Sequence, residues 1–240
     1  MGPLTLLSMA STVLVDVVRG PEEFAGFGKS ILIEPVQPTT RPDRYPTQAV
    51  VVTNAARRLI ELSKAGERLD SIVVHGAMDP TLHPEFVEIS ENLRELCNKW
   101  FAKAQLSLFS EAPHLDDPLV RHALLAYDTV ALRFESSTQK TFKALTGRDG
   151  TELKALVEHM GKLEHRNLVI RTRFVRGTID NSTDSEVRGW LKLLANIKPA
   201  TVQLEAVGKA ADGLKAITKT RLTQISDQLT EKVGAQIEHV

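Results

Sequence analysis

The sequence predicts an α/β protein built as an incomplete parallel (β/α)6 TIM-like barrel, folded as a single domain. Two observations lead there. Six short runs rich in apolar and β-branched residues alternate with six amphipathic stretches, and such alternation demands crossover connections and a parallel sheet. No linker or low-complexity tract interrupts the 240 residues, a length that suits one large domain.

Residues 4–18 are apolar-rich, but no Lys or Arg precedes them and Asp16 interrupts the run. That pattern fits neither a signal peptide nor a membrane span. It reads as an N-terminal strand or packing arm, with 1–26 set apart from a barrel over 27–240. The first barrel strand is placed at 30–36 (SILIEPV). Residues 47–65 carry Val51, Ala55, Leu59 and Leu62 on one helical face. A strand at 71–75 precedes the clearest helix, where Phe86, Ile89, Leu93, Leu96, Cys97 and Trp100 recur at helical spacing behind Pro84. Strands at 105–109 and 129–134 flank a helix with Val120, Ala123 and Leu124, and Leu153, Leu156, Val157 and Met160 form the next stripe. After a strand at 168–175 (LVIRTRFV), Thr183 and Glu186 read as a capping box opening a helix with Val187, Trp190, Leu191 and Leu194. The sixth strand is 201–206. Thr218 caps a last helix through Leu222, Ile225 and Leu229, and 236–240 reads as a terminal strand.

Thirty Lys and Arg balance thirty Asp and Glu. The chain lacks the basic excess of a nucleic-acid binder or a polybasic membrane anchor. The expected partner is therefore a small molecule or a protein, with no nucleic acid and no membrane, in the cytoplasm. The single cysteine, Cys97, excludes an internal disulfide and any iron–sulfur cluster held by several cysteines of this chain. On an apolar helix face it reads as a buried, unreactive thiol. No Gly-rich phosphate loop, Ser-His-Asp signature or metalloprotease motif is present, and no catalytic or metal-ligating residue is assigned.

Ligands of parallel barrels sit at the carboxyl ends of the strands. Those ends carry Glu34, His75, Asp79, Glu111, Glu135, Arg173 and Glu205. The set suits a small ligand or a divalent cation, and equally suits charges paired across the mouth, such as Arg173 with Glu135. Arg171 and Arg173 share one strand face, ready for a phosphate or carboxylate or for interior carboxylates. Trp100 and Trp190 sit at core spacing, and Asp180–Asn181 reads as a turn.

The segment 72–86, IVVHGAMDPTLHPEF, resembles the second-strand region of radical S-adenosylmethionine (SAM) enzymes. There a strand runs into Gly-x-Gly-Glu-Pro-Thr-Leu-His-Pro, and the Gly-Gly-Glu stretch meets the amino group of SAM. The stretch from LSLFSEAPHL to ALTGRDG resembles the family's third strand, Asn-Gly turn, fourth strand with a terminal acid, and Thr-Phe-x-x-Leu stretch. LVIRTRFVRGTIDN resembles the fifth strand and its Gly-x-x-Asp-Asn loop, and FGKSILIEPV is similar to the first strand. The resemblance covers about residues 27–240. It implies a SAM-like groove along Gly76, Asp79 and Thr81, with His83 capping or packing at the loop–helix junction. With the strand-end residues, the candidate ligand-binding set is Gly76, Asp79, Thr81, Glu111, Glu135, Arg171 and Arg173.

The departures from that family are specific. Its Cys-x-x-x-Cys-x-x-Cys follows the first strand directly, where this chain has QPTTRPDRYPT at 37–47. Three thiolates hold a four-iron cluster while leaving one iron open. No 4Fe-4S cluster is expected here, and at most weak SAM binding. Asp79 is one methylene shorter than the family's Glu, and Glu111–Ala112 replaces its Asn-Gly turn. Three functions follow as expectations. The first is a degenerate, non-catalytic binding or scaffold domain with a vestigial SAM-type cleft. The second is an enzyme using the strand-end carboxylates and His75 for metal-assisted or acid–base chemistry. The third is a structural subunit pairing through an exposed sheet edge.

Overall fold

The computed structural model describes residues 17–37, 45–205 and 213–240. Strand β1 (Val18–Phe24) turns back into β2 (Gly28–Ile33). Then come α1 (Gln48–Lys64), β3 (Ser71–Val74), α2 (Phe86–Trp100), β4 (Gln105–Ser110), α3 (Pro118–Ala123) and β5 (Thr129–Arg133). Helices α4 (Gln139–Thr146) and α5 (Glu152–Gly161) lead to β6 (Leu168–Arg173), β7 (Val175–Gly177) and α6 (Asp184–Ile197). The described chain closes with β8 (Thr201–Glu205), β9 (Leu214–Ala216), α7 (Lys219–Val233) and β10 (Gln236–His239).

The main sheet runs in the order β1-β2-β3-β4-β5-β6-β8-β10, with β1 antiparallel to β2 and every other pairing parallel. This is the incomplete barrel that the strand–helix alternation predicts, six βα units with the terminal strand β10 added. The period of two along each strand divides the core into two layers. Outward residues such as Ile31, Ile72, Leu108, Leu132 and Ile170 join the helices' Leu59, Leu93, Trp190 and Leu229 in one large cluster. Inward residues Leu32, Val73, Phe109, Ala131 and Val169 form a second, smaller cluster with Phe27. Among the described residues no helix is long and apolar enough to cross a membrane.

Local chemistry sets the helix ends. Thr47, Thr138, Thr183 and Thr218 each accept an N–H of the first turn through the side chain. Helix α6 ends on Lys198, whose φ of +56° is left-handed backbone that favours glycine. The side chain is exposed. Lys198→Gly is expected to stabilise the fold by about 0.5–1 kcal/mol, the relief of left-handed strain less the added unfolded-state freedom. A raised urea midpoint with an unchanged slope is the expected readout.

Strand β1 lies at the sheet edge within the segment read as a strand or packing arm, and residues 4–16 of the apolar run lie outside the described residues. Two expectations are corrected. The strand expected over 168–175 breaks at Phe174, because buried Asn181 claims its backbone. Asn181 Oδ1 accepts the Val175 N–H at 2.7 Å, and its Nδ2 donates to the Arg173 and Glu135 carbonyls at 2.9 and 2.8 Å. The capping box is only half made. Thr183 accepts the Glu186 N–H, but the Glu186 carboxylate turns to the loop before α4. There it accepts the Ser137 N–H at 3.0 Å and the Ser137, Thr138 and Thr141 hydroxyls, each at 2.7 Å.

Burial alone would raise the Glu186 pKa, but the hydroxyls of Thr141, Thr138 and Ser137 outweigh it and hold the carboxyl below the ordinary range. A depressed carboxyl stabilises the fold above its unfolded pKa of about 4.3 and loses that contribution as pH falls toward the folded value. Glu186→Gln is therefore expected to lower the urea midpoint at pH 7, and the gap from wild type should narrow below about pH 4.

Candidate functional site

The site sits on the concave face of the curled sheet, and the sheet's own register builds it. Arg133 pairs with Arg171, Arg171 with Gln203, and Gln203 with Glu238, which places a polar row across β5, β6, β8 and β10. Arg173 pairs with Glu205 one step above. Two neighbouring guanidinium groups on a buried face repel unless carboxylates stand among them. Arg133 Nη1 lies 2.7 Å from Glu135, its Nη2 3.4 Å from Glu205, and its Nε 3.9 Å from Glu111. Arg171 Nε meets Glu205 at 3.2 Å, and Arg173 Nη2 meets Glu135 at 3.4 Å. Burial would lower the Arg133 pKa, but Glu135, Glu205 and Glu111 outweigh it and raise it. Burial lowers the Arg171 pKa, with Glu205 opposing.

The β1–β2 turn fills what the half-barrel leaves open. Arg171 Nη1 donates to the Ala25 carbonyl at 2.8 Å, and Gln203 Nε2 reaches the Gly26 carbonyl at 3.4 Å. Gly26 has a φ of +82°, left-handed backbone that favours glycine, and a β-carbon there would push on the Gln203 amide 2.7 Å away. Phe24 and Phe27 stack on each other and reach Phe109, and His75 stacks on Phe109 with ring centres 4.5 Å apart. The Arg171 guanidinium stands over the Phe109 ring at 4.9 Å and over Phe24 and Phe27 at 5.8 and 6.0 Å. Burial pushes the His75 pKa down, partly offset by its hydrogen bond to the Phe109 carbonyl.

The loop after β3 carries the motif residues. Asp79 faces its own chain: Oδ1 accepts the Thr81 N–H and hydroxyl at 2.9 and 2.6 Å, and Oδ2 accepts the Ser110 hydroxyl and the Glu111 N–H at 2.8 and 2.5 Å. The carboxylate thereby clips this loop to the end of β4. Thr81 is buried beneath it. Gly76 passes close to β2, where a β-carbon would lie 3.3 Å from Glu34 and from the Val36 carbonyl. Glu34 itself bonds Arg19 at 2.6 Å. Glu111 is half exposed, and burial raises its pKa against the pull of Arg133. Ala112, in the Gly place of the Asn-Gly turn, has a φ of +54°. His83 is buried, with Nε2 2.7 Å from the Pro46 carbonyl and Nδ1 accepting the Glu85 N–H, which is the junction role expected of it.

The structure thus brings Glu111, Glu135, Arg171 and Arg173 together at one mouth and joins Asp79 and Thr81 beside them. Arg133, Gln203, Phe24 and Phe27 belong to the same assembly and escaped the sequence reading. Arg133 had a usable signal, two residues before Glu135 on the same strand face. The hairpin residues had none, since they act on strands far along the chain. Gln203 Oε1 and Arg173 Nε are buried atoms with no hydrogen-bond partner among the described residues. Cys97 lies elsewhere, buried on α2, its Sγ near the Phe101 and Ala104 carbonyls, and burial pushes its pKa up. Residues 38–44, most of the segment that stands in the place of the cysteine motif, lie outside the described residues.

No family model matches the sequence, and no curated protein matches it either. Solved structures do resemble it. A radical SAM methyltransferase from Sphaerobacter thermophilus superposes with a TM-score of 0.59 at 14% identity, over 82% of this chain and 58% of that one. The chain thus spans little more than half the length of that protein. A domain of pyruvate-formate lyase-activating enzyme from Bacteroides vulgatus superposes with a TM-score of 0.57 at 13% identity, over 71% of this chain and 98% of that domain. The chain shares the fold of these two solved structures.

Proposed function

We propose that the chain is a radical-SAM-like domain that works without an iron–sulfur cluster, as a non-catalytic binding or scaffold module for a small molecule or a protein. The observation that carries this reading is the occupied concave face, where Phe24, Phe27, Phe109 and Arg171 fill the half-barrel. The residues do not fit the cluster. Three thiolates are needed, segment 37–47 contains none, and the sole thiol is packed on α2. They fit SAM poorly as well, because Asp79 already accepts from Thr81, Ser110 and Glu111.

A missing charge-assisted hydrogen bond costs about 1.5–3 kcal/mol, so any residual SAM affinity is no tighter than about high micromolar. Anaerobic reconstitution with iron and sulfide, followed by elemental analysis, is expected to leave no stoichiometric iron. Calorimetry with SAM and S-adenosylhomocysteine on wild type, Asp79→Asn and Asp79→Ala is expected to find weak or absent binding. Near-stoichiometric iron and sulfide, or low-micromolar binding that depends on Asp79, would overturn the reading.

The enzyme alternative has less support. Glu135 and Glu205 are engaged by arginines, and among the described residues no three His, Cys, Asp or Glu side chains converge on a metal position. A scaffold role through a sheet edge draws support from β10, the last strand of the sheet order, whose pairing among the described residues is with β8.

A further inference from the structure

We propose that the groove between β1 and α1 is a binding site for phosphoryl groups, separate from the barrel mouth. It encloses about 410 Å³, and its walls carry Arg19 from β1 and Asn54, Arg57, Arg58 and Glu61 from α1. The four α1 residues stand at i, i+3, i+4 and i+7, so one helical face supplies them together. With Glu34 on Arg19 counted beside Glu61, three guanidinium groups stand against two carboxylates, a local excess in a chain whose total charge is zero. Like charges gathered this way repel one another, and an anion between them turns that repulsion into attraction.

The donors are already arranged. Arg58 Nη2 is fixed on the Gly20 carbonyl at 2.7 Å, and its Nη1 stands 3.5 Å from Glu61. Arg19 is held through Nε by Glu34 at 2.6 Å, and about half of its side chain stays exposed. Arg57 is exposed and makes no hydrogen bond or ion pair among the described residues. Two of the three guanidinium groups are therefore held in place, and the rotamer freedom given up on binding is mainly that of Arg57. Guanidinium forks match the oxygen geometry of phosphate, and the volume takes a phosphoryl group together with a small molecule bearing it.

The test is an NMR titration of the full chain with inorganic phosphate, pyrophosphate and ribose 5-phosphate at constant ionic strength, with sodium chloride as control. Saturable shifts of amides 54–61 and of the arginine Nε–H groups are expected, with pyrophosphate tighter than phosphate. Arg57→Gln should weaken binding about tenfold or more without changing the fold, because among the described residues the side chain makes no bond. Glu61→Gln should tighten it a few-fold by removing the opposing charge. Ribose 5-phosphate binding tighter than inorganic phosphate marks a phosphorylated metabolite as the source, and equal affinity marks the free anion. Shifts that stay linear, match the chloride control, or are unchanged in Arg57→Gln would overturn the proposal.

Discussion

Arg171→Ala is expected to destabilise the protein by about 3–5 kcal/mol, the range for removing one member of a buried ion pair. The side chain is 4% exposed, and it joins Glu205, the Ala25 carbonyl and the faces of Phe109, Phe24 and Phe27. Its removal takes away the donor that holds the Ala25 carbonyl and leaves Glu205 with Arg133 alone among the described residues. Arg171→Met, which keeps much of the volume, should recover part of the stability, since packing over the rings persists while the charge is gone. Urea unfolding of both variants at pH 7 measures this. A change under about 1 kcal/mol in the alanine variant would show that the β1–β2 turn is not secured through Arg171.

Trp190→Ala is the second large effect, at about 3–5 kcal/mol. Trp190 is 1% exposed, packs edge-on against Phe174 at 5.2 Å, and donates Nε1–H to the Phe134 carbonyl at 3.2 Å. That carbonyl also accepts the Thr172 hydroxyl at 2.8 Å, so one oxygen ties α6 and β6 to the end of β5. Trp190→Phe should cost clearly less, because most of the ring packing survives and Thr172 keeps the carbonyl satisfied. Equal destabilisation in the two variants would mean that the hydrogen bond, rather than the packing, carries the position.

The barrel was legible because its strands and helices write their periods locally. Val51, Ala55, Leu59 and Leu62 mark the buried face of α1, and all four are buried. Strand β1 was not legible. VRGPEEF holds a glycine, a proline and three charges, and it becomes a strand only because β2 lies beside it. At the site, the pairing of Arg173 with Glu135 follows from their places at neighbouring strand ends. The role of Asn181 does not. Asp180 does form the expected turn by accepting the Ser182 N–H, while the next residue reaches back to three backbone groups that no local pattern reveals.

The bond from Arg171 to the Ala25 carbonyl spans 146 residues, and that from Gln203 to Gly26 spans 177. Bonds of such sequence separation raise contact order and come late in folding, after the intervening chain has paid its loop-closure entropy. On the ribosome, the β1–β2 hairpin emerges before these partners, and its bonds to Arg171 and Gln203 wait until β6 and β8 have been synthesised. Through that interval Phe24 and Phe27 have each other, His75 and Phe109 to pack on, but a nascent chain halted before residue 171 lacks the guanidinium that stands over both rings. A hairpin made early is locked late.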